Sequence, residues 1–347
     1  MGVTEAWENQ DVTEPTIDKF GRPLRDLRVS VTDRCNFRCR YCMPREVFGE
    51  GYEFLPRRAI LRFEEIQRVV RIAAEFGVRK VRITGGEPLL RRDLPQLITM
   101  LNQVKGVELA LTTNGALLPE QAQALADAGL KRVTVSLDSL DDKTFRAMND
   151  ADFPVADVLD GIEAAVVAGL APIKINAMVQ RGVNEDSVVE LARYFKGSGH
   201  IVRFIEFMDV GMTNNWRPED VCGGADTVKR ITAELPAEPV SPAYRGEVAK
   251  RWRYIDGEGE FGVITSVTEP FCGDCTRARL SAEGVLYTCL FAGEGTDLRD
   301  TLRSGGSDGM LRTLFSDIWS NREDRYSERR FKESKLPSRI EMSYIGG

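Results

Sequence analysis

Histidine is almost missing from this sequence: one residue, His200, in 347. That excludes mechanisms built on an imidazole pair or on several imidazole metal ligands. No apolar run approaches the roughly 18 residues of a bilayer-spanning helix, so no membrane association is expected. Positive charge is not in excess either, because 47 Lys and Arg stand against 53 Asp and Glu, a formal charge of −6. Such a balance leaves no general footprint for nucleic acid. The opening residues, MGVTEAWENQDVTEP, are acidic and polar, unlike a secretory signal, and a cytoplasmic location is expected. Hydrophobic residues at 42% and charged residues at 29% are ordinary for a globular chain that buries a sizeable core. With imidazole this scarce, the seven cysteines must carry any metal or redox chemistry.

At about 150 residues per domain, the length suggests two domains, or one large domain with an extension. Strand-like and helix-like segments alternate through the first two thirds. Strands are predicted over 28–33, 80–84, 108–113, 132–137, 173–179 and 203–208. Helices are predicted between them, over 64–76, 93–104, 119–128, 155–168 and 185–195. Helices between consecutive strands imply parallel pairing with right-handed crossovers. Six such strands fit an incomplete barrel better than a closed one of eight. Pro236, Pro239 and Pro242 then crowd one stretch, and 248–268 reads as strands with turns. The expected division is an N-terminal segment (1–20), an α/β partial barrel (21–236) and a β-rich C-terminal region (237–347).

Six cysteines fall into two groups of three. Cys35, Cys39 and Cys42 form C-x3-C-x2-C just after the first strand, and Cys272, Cys275 and Cys289 form C-x2-C-x13-C. Cys222 stands alone and reads as structural. A reducing compartment disfavours disulfides, which leaves structural zinc or iron–sulfur clusters. Two zinc sites need eight ligands, and the seven Cys with His200 reach that count only if both stray residues complete separate sites. A cubane held by three thiolates leaves one iron open for another ligand, so triplets suit iron–sulfur clusters better.

Context sharpens the first triplet. Tyr41 precedes its last cysteine, and Gly85-Gly86-Glu87-Pro88 follows the second strand, where glycine lets backbone approach a ligand closely. Here the sequence resembles the radical S-adenosylmethionine (SAM) superfamily, whose C-x3-C-x-aromatic-C loop ends the first barrel strand. The second triplet, with Cys272 and Cys275 in FCGDCTRARLSAEG and Cys289 beyond it, resembles the molybdenum cofactor biosynthesis A family. So do DRCNFRCRYCMP, RITGGEPLLRRD, LTTNG, VSLDSL and the closing Gly346-Gly347. This second resemblance runs from about Leu24 to the terminus.

That resemblance implies a radical SAM partial barrel with a C-terminal extension that carries a second cluster. It implies two 4Fe–4S clusters, held by Cys35, Cys39 and Cys42 and by Cys272, Cys275 and Cys289. Tyr41, Gly86, Ser136 and Met208 match SAM contacts. Arg28, Arg82, Thr113, Lys174, Arg277, Ala278 and Arg279 match contacts to a GTP substrate. The implied reaction is cyclisation of GTP to 3′,8-cyclo-7,8-dihydro-GTP, with the second cluster binding guanine and the Gly-Gly tail entering the pocket. Implied partners are cyclic pyranopterin monophosphate synthase as the next enzyme and an electron donor such as flavodoxin or ferredoxin, the chain being monomer or homodimer. Rival readings are another radical SAM enzyme with an auxiliary cluster, and a zinc-stapled binding protein.

The residues themselves fit this chemistry. Arg277 and Arg279, two apart, share one face of an extended segment, and arginine grips phosphate bidentately. Other signals fall away. GEGEFG at 257–262 satisfies G-x-G-x-x-G but runs into a strand-like VITSV, and no P-loop exists. His200 reads as structural, and Phe145 and Met148 as core.

Overall fold

The computed structural model describes residues 16–332 and 338–346. Six strands and their crossovers make the frame: β1 (Asp26–Ser30), β2 (Lys80–Thr84), β3 (Glu108–Thr113), β4 (Arg132–Ser136), β5 (Lys174–Val179) and β6 (Ile201–Glu206). They pair in chain order, each parallel to the next. The first five crossovers contain the helices Phe63–Glu75, Leu94–Asn102, Leu118–Asp127, Val155–Val167 and Val188–Phe195. Each strand buries alternate side chains against these helices. Leu27 and Val29, Val81 and Ile83, and Val202 and Phe204 all belong to one apolar core. The intervening positions, including Arg28, Arg82 and Arg203, face the other way, into the lumen of an open barrel.

The C-terminal region does not fold apart. It supplies β7 (Ala237–Val240), β8 (Lys250–Tyr254), β9 (Glu260–Ile264), β10 (Arg277–Leu280), β11 (Val285–Tyr287) and β12 (Thr296–Asp297). β9 adds parallel to β6, and β10 crosses to the opposite edge and adds parallel to β1. The antiparallel pairs β7–β8 and β11–β12 finish the two edges of one open sheet of 12 strands. The α/β partial barrel of the sequence reading is thus present, and its extension continues both edges.

Local departures have local causes. The helix expected from Glu185 starts at Val188. Asn184 lies before it and spends its side chain on the carbonyls of Met178 and Asp138, at 2.7 and 2.9 Å. β1 stops at Ser30 rather than Asp33, because the chain turns there toward the glycine pair that follows β2. A Cβ on Gly86 would lie 2.3 Å from the Arg34 carbonyl oxygen, and one on Gly85 would lie 2.6 Å from that of Thr32. Only glycine at both positions lets the two loops close on each other.

Candidate active site

The ends of β1 and β2 deliver the first triplet. Gly86 N–H donates to the Thr32 carbonyl at 2.8 Å, and Glu87 N–H to that of Arg34 at 2.7 Å, tying the cysteine loop to the glycine loop. Arg38 knits the cysteine loop from inside, donating to the carbonyls of Cys35, Phe37 and Phe48 at 2.7–2.8 Å. The helix Asp142–Asn149, not foreseen in the sequence, receives the far side of the loop. Its carbonyls at Met148 and Asn149 accept from Arg40 and Arg38 N–H. Phe145 and Met148 are indeed core residues, but the turn they anchor also cradles the cysteines.

Cys35, Cys39 and Cys42 all open onto one cavity of about 320 Å³, and so do Cys272, Cys275 and Cys289. Burial pushes the thiols of Cys35 and Cys289 up to about 12. Cys275 goes the other way: burial raises it, but the guanidiniums of Arg277 and Arg322 outweigh burial and bring it to about 6. Both guanidiniums donate to its sulfur, at 3.4 and 3.2 Å.

All seven cysteines are free thiols. Among the described residues no three Cys, His, Asp or Glu side chains meet as they would around a single metal ion. Nor can the stray residues complete zinc sites. Cys222 is buried in the apolar core beside Thr227, and His200 accepts from the Ile173 N–H. Neither lines the cavity, which removes the ligand count on which the zinc reading depended. Three thiols spread around a roomy cavity suit a polynuclear cluster with one open iron.

Between the triplets the cavity is cationic. Parallel register sets Arg279, Arg28 and Arg82 abreast on β10, β1 and β2. No carboxylate pairs with any of the three among the described residues, and Arg82 donates instead to the hydroxyls of Thr112 and Thr134, both at 3.0 Å. Burial, then Arg279, Arg82 and Arg277 in turn, hold the Arg28 pKa well below its ordinary value. Burial first, and then Arg82, lower Arg203 to about 9. Buried like charges of this kind are costly unless an anion joins them.

The structure gathers most of the sequence-selected residues here. Tyr41, Gly86, Ser136 and Met208 line the cavity, and so do Arg28, Arg82, Thr113, Arg277 and Arg279. Lys174 opens instead into a small adjoining recess that shares Arg203. The Ala278 side chain packs in the apolar core on the opposite face of β10, so only its backbone is left for a ligand. Thr113 commits its hydroxyl to Glu87, donating at 2.8 Å and accepting from Gly115 N–H at 3.0 Å. Burial raises the Glu87 carboxyl to about 7, against the pull of hydrogen bonds from Asn114, Leu89 and Thr113.

Sequence reasoning missed several residues. Arg203 and Asn176 stand side by side in register on β6 and β5, facing the lumen. Arg203 Nε and Asn176 Oδ1 are buried without a partner among the described residues, free for a ligand. Strand parity gave the usable signal, since Asn176 shares a face with Lys174. Asp138 was missed as well; it accepts from the Tyr41 hydroxyl and the Met178 N–H, both at 2.8 Å.

Comparison with known proteins agrees with this geometry. Residues 29–195 match the radical SAM superfamily, and residues 200–328 match the family described as Molybdenum Cofactor Synthesis C. A GTP 3',8-cyclase of Acidothermus cellulolyticus is 53% identical, over 97% of this chain and 100% of its own length. Its counterpart from Xanthomonas axonopodis pv. citri is 51% identical, again over 97% and 100%. In fold, the chain is similar to Streptococcus suis SuiB bound to S-adenosylmethionine. That likeness has a TM-score of 0.62 at 16% identity, covering 91% of this chain and 76% of that one. A site ringed by two cysteine triplets and floored with arginines that no carboxylate pairs sits in a chain about half identical, over nearly its whole length, to these two cyclases, and the chain belongs to the GTP 3',8-cyclase family of radical SAM enzymes.

Proposed function

We propose that this chain cyclises GTP to (8S)-3′,8-cyclo-7,8-dihydroguanosine 5′-triphosphate, the first step of molybdenum cofactor biosynthesis. The observation that carries this reading is the row Arg279–Arg28–Arg82, set abreast by strand register in a buried lumen without a carboxylate partner. A triphosphate supplies the missing negative charge, and guanidinium forks match its oxygens. Arg203 brings its unpartnered Nε–H to the same anion, whereas the unpartnered Asn176 Oδ1 is an acceptor and suits an N–H or O–H of the nucleoside.

Cys35, Cys39 and Cys42 fit a 4Fe–4S cluster with its fourth iron left for SAM, which lies against Tyr41, Gly86, Ser136 and Met208. Cys272, Cys275 and Cys289 fit a second cluster, placed to meet the guanine. When bound, the first cluster and SAM supply the electron and the acceptor for a hydrogen atom. The protein's own part is positional. Its arginines fix the phosphates, and the lumen holds the ribose between the two triplets and away from bulk water. No helix among the described residues is long and apolar enough to cross a membrane, and we infer a cytoplasmic enzyme, monomer or homodimer. It draws electrons from a donor such as flavodoxin or ferredoxin and passes its product to cyclic pyranopterin monophosphate synthase.

Anaerobic incubation with SAM, dithionite and GTP tests the reading. Both 5′-deoxyadenosine and the cyclised nucleotide are expected, with iron near eight per chain for two cubanes. A site that bonds particular purine groups can reject an analogue by about 10⁴-fold, so ATP should yield almost no cyclised product. Equal yields from ATP and GTP would overturn the assignment.

Two lysines whose charges act on Arg203 and Arg82 of the lumen predict a pH dependence. Burial, and then Arg203, lower Lys174 to about 7; burial, and then Arg82, lower Lys80 to about 8. A bound triphosphate favours the charged ammonium, so binding should take up protons above about pH 7. GTP affinity is therefore expected to be flat below about pH 7 and to weaken as pH rises toward about 9, at most roughly tenfold per unit per lysine. Titration calorimetry in two buffers of different ionisation enthalpy measures the uptake. No proton uptake at about pH 8 would remove these lysines from the phosphate site.

A further inference from the structure

Behind the second triplet lies a charged network that neither the motifs nor the phosphate site uses. Arg322 and Asp18 have side chains that are 1% and 0% exposed, and Arg22 is as deeply buried. Asp18 accepts from Arg22 Nε at 2.6 Å and from Arg322 Nη1 at 3.2 Å, and the partly exposed Asp324 takes Arg322 Nε at 3.2 Å, so two carboxylates hold the two guanidiniums. Each guanidinium then reaches the cysteine loop. Arg22 Nη1 donates to the Cys272 carbonyl at 2.7 Å, and Arg322 Nη1 donates to the Cys275 carbonyl at 2.7 Å. Arg322 Nη2 goes further and donates to the Cys275 sulfur at 3.2 Å. Arg322 lies over the Trp319 ring at 4.6 Å, and the indole N–H donates to the Arg22 carbonyl at 3.0 Å, which fixes the pair.

The first triplet has nothing comparable. The donors that reach its sulfurs are neutral: the Phe37 N–H, at 3.4 Å from Cys35, the Asn114 amide, at 4.0 Å, and the Tyr41 hydroxyl at Cys39. Arg38 spends its hydrogen bonds on carbonyls. Among the described residues no guanidinium donates to a sulfur of that triplet.

Reduction adds a negative charge to a cluster, and its potential responds to hydrogen bonds on the sulfurs and to buried charge nearby. A cation fixed against a thiolate in a low-dielectric site stabilises the reduced form more than the oxidised one. We propose that Arg322, held by Asp18 and Trp319, is a positioning residue that grips the Cys275 sulfur and makes the second cluster the more readily reduced of the two. This rests on the reading that the second triplet holds a cluster. The first cluster is then left as the stronger electron donor toward SAM.

The test uses the reconstituted full chain in a redox titration followed by electron paramagnetic resonance. The second cluster's signal is identified as the one that added GTP perturbs, and the iron count of the unaltered enzyme checks first that two clusters are present. Four irons rather than eight would remove the second cluster itself, which is a failure of the underlying reading and not of the role of Arg322. In Arg322→Gln, the ratio of reduced to oxidised second cluster at a fixed potential should fall about tenfold, the scale of one charge-assisted hydrogen bond. The first cluster's ratio should not move. Arg322→Lys keeps a charged donor and should restore most of the ratio. An unchanged ratio in Arg322→Gln at full iron content would overturn the proposal, and so would an equal shift of both clusters. If Arg322→Gln assembles no second cluster, Arg322→Lys decides: full iron with a near-normal ratio supports the role, and an empty site shows that Arg322 only packs the loop.

Discussion

Replacing Cys272, Cys275 or Cys289 by Ala is expected to leave 5′-deoxyadenosine formation in place while the cyclised nucleotide disappears. The same change at Cys35, Cys39 or Cys42 should abolish both. The separation follows from how the two loops are supported. The first is held by the glycine pair after β2, by Arg38 and by the end of the helix Asp142–Asn149, all in the N-terminal half. The second is held by Arg22 and Arg322 and by the turn into β10. The two supports share no hydrogen-bonding residue among those described, so loss of one cluster should not unfold the other's loop. Iron and sulfide assays should fall by about half in either set, as one cubane of two is lost. Chromatography of anaerobic reactions then follows 5′-deoxyadenosine and the cyclised nucleotide. Normal cyclisation by any variant of the second set would show that its cluster does not hold the substrate.

Much of this arrangement was legible in the sequence because strand alternation and motif position carry it. The run Lys80-Val81-Arg82-Ile83-Thr84 gives both the strand and the parity that points Arg82 inward. Arg277 and Arg279 were placed on one face by the same rule, and β10 puts them there. That rule equally places Ala278 on the other face, in the core, where its side chain cannot touch a ligand in the lumen. Other features are not local and leave no periodic mark. Nothing near Arg277 announces that β10 will pair with β1, some 250 residues earlier, rather than with β9 just before it. Arg203 is unremarkable in sequence until parallel register sets it beside Asn176. Asp18 and Arg22 meet Arg322, some 300 residues later, behind the second triplet.

The chain terminus provides the other large expected effect. Its described residues are held at several points. Asp209 clamps Arg330 at 2.7 Å and Arg339 at 2.6 Å, and Glu341 accepts from Met212 N–H at 2.8 Å and the Thr213 hydroxyl at 3.0 Å. The turn Met342–Ile345 follows, with Met342 and Ser343 on the cavity wall and Ile345 fully buried. Arg279 then donates to the Gly346 carbonyl. The tail thus occupies one guanidinium of the arginine row, while Gly347 lies outside the described residues. Gly346 has a φ of +77°, and a Cβ there would stand 2.0 Å from Thr84 Oγ1, so a side chain meets both backbone strain and the end of β2. Deleting Gly346 and Gly347 should leave iron content and SAM binding unchanged and release Arg279 from its set direction. Loss of one charged hydrogen bond that orients a substrate-facing cation corresponds to a fall in cyclisation of about 10- to 100-fold. Gly346→Ala should do comparable harm without shortening the chain, and a C-terminal affinity tag must share the same narrow path. Full-length and altered proteins are compared at matched iron, following 5′-deoxyadenosine and cyclised nucleotide together. A fall in cyclisation that outruns any fall in 5′-deoxyadenosine places the tail at the substrate rather than at SAM. Unchanged cyclisation by the truncated enzyme would mean that Arg279 needs no such support and that the end of the chain has no part in the reaction.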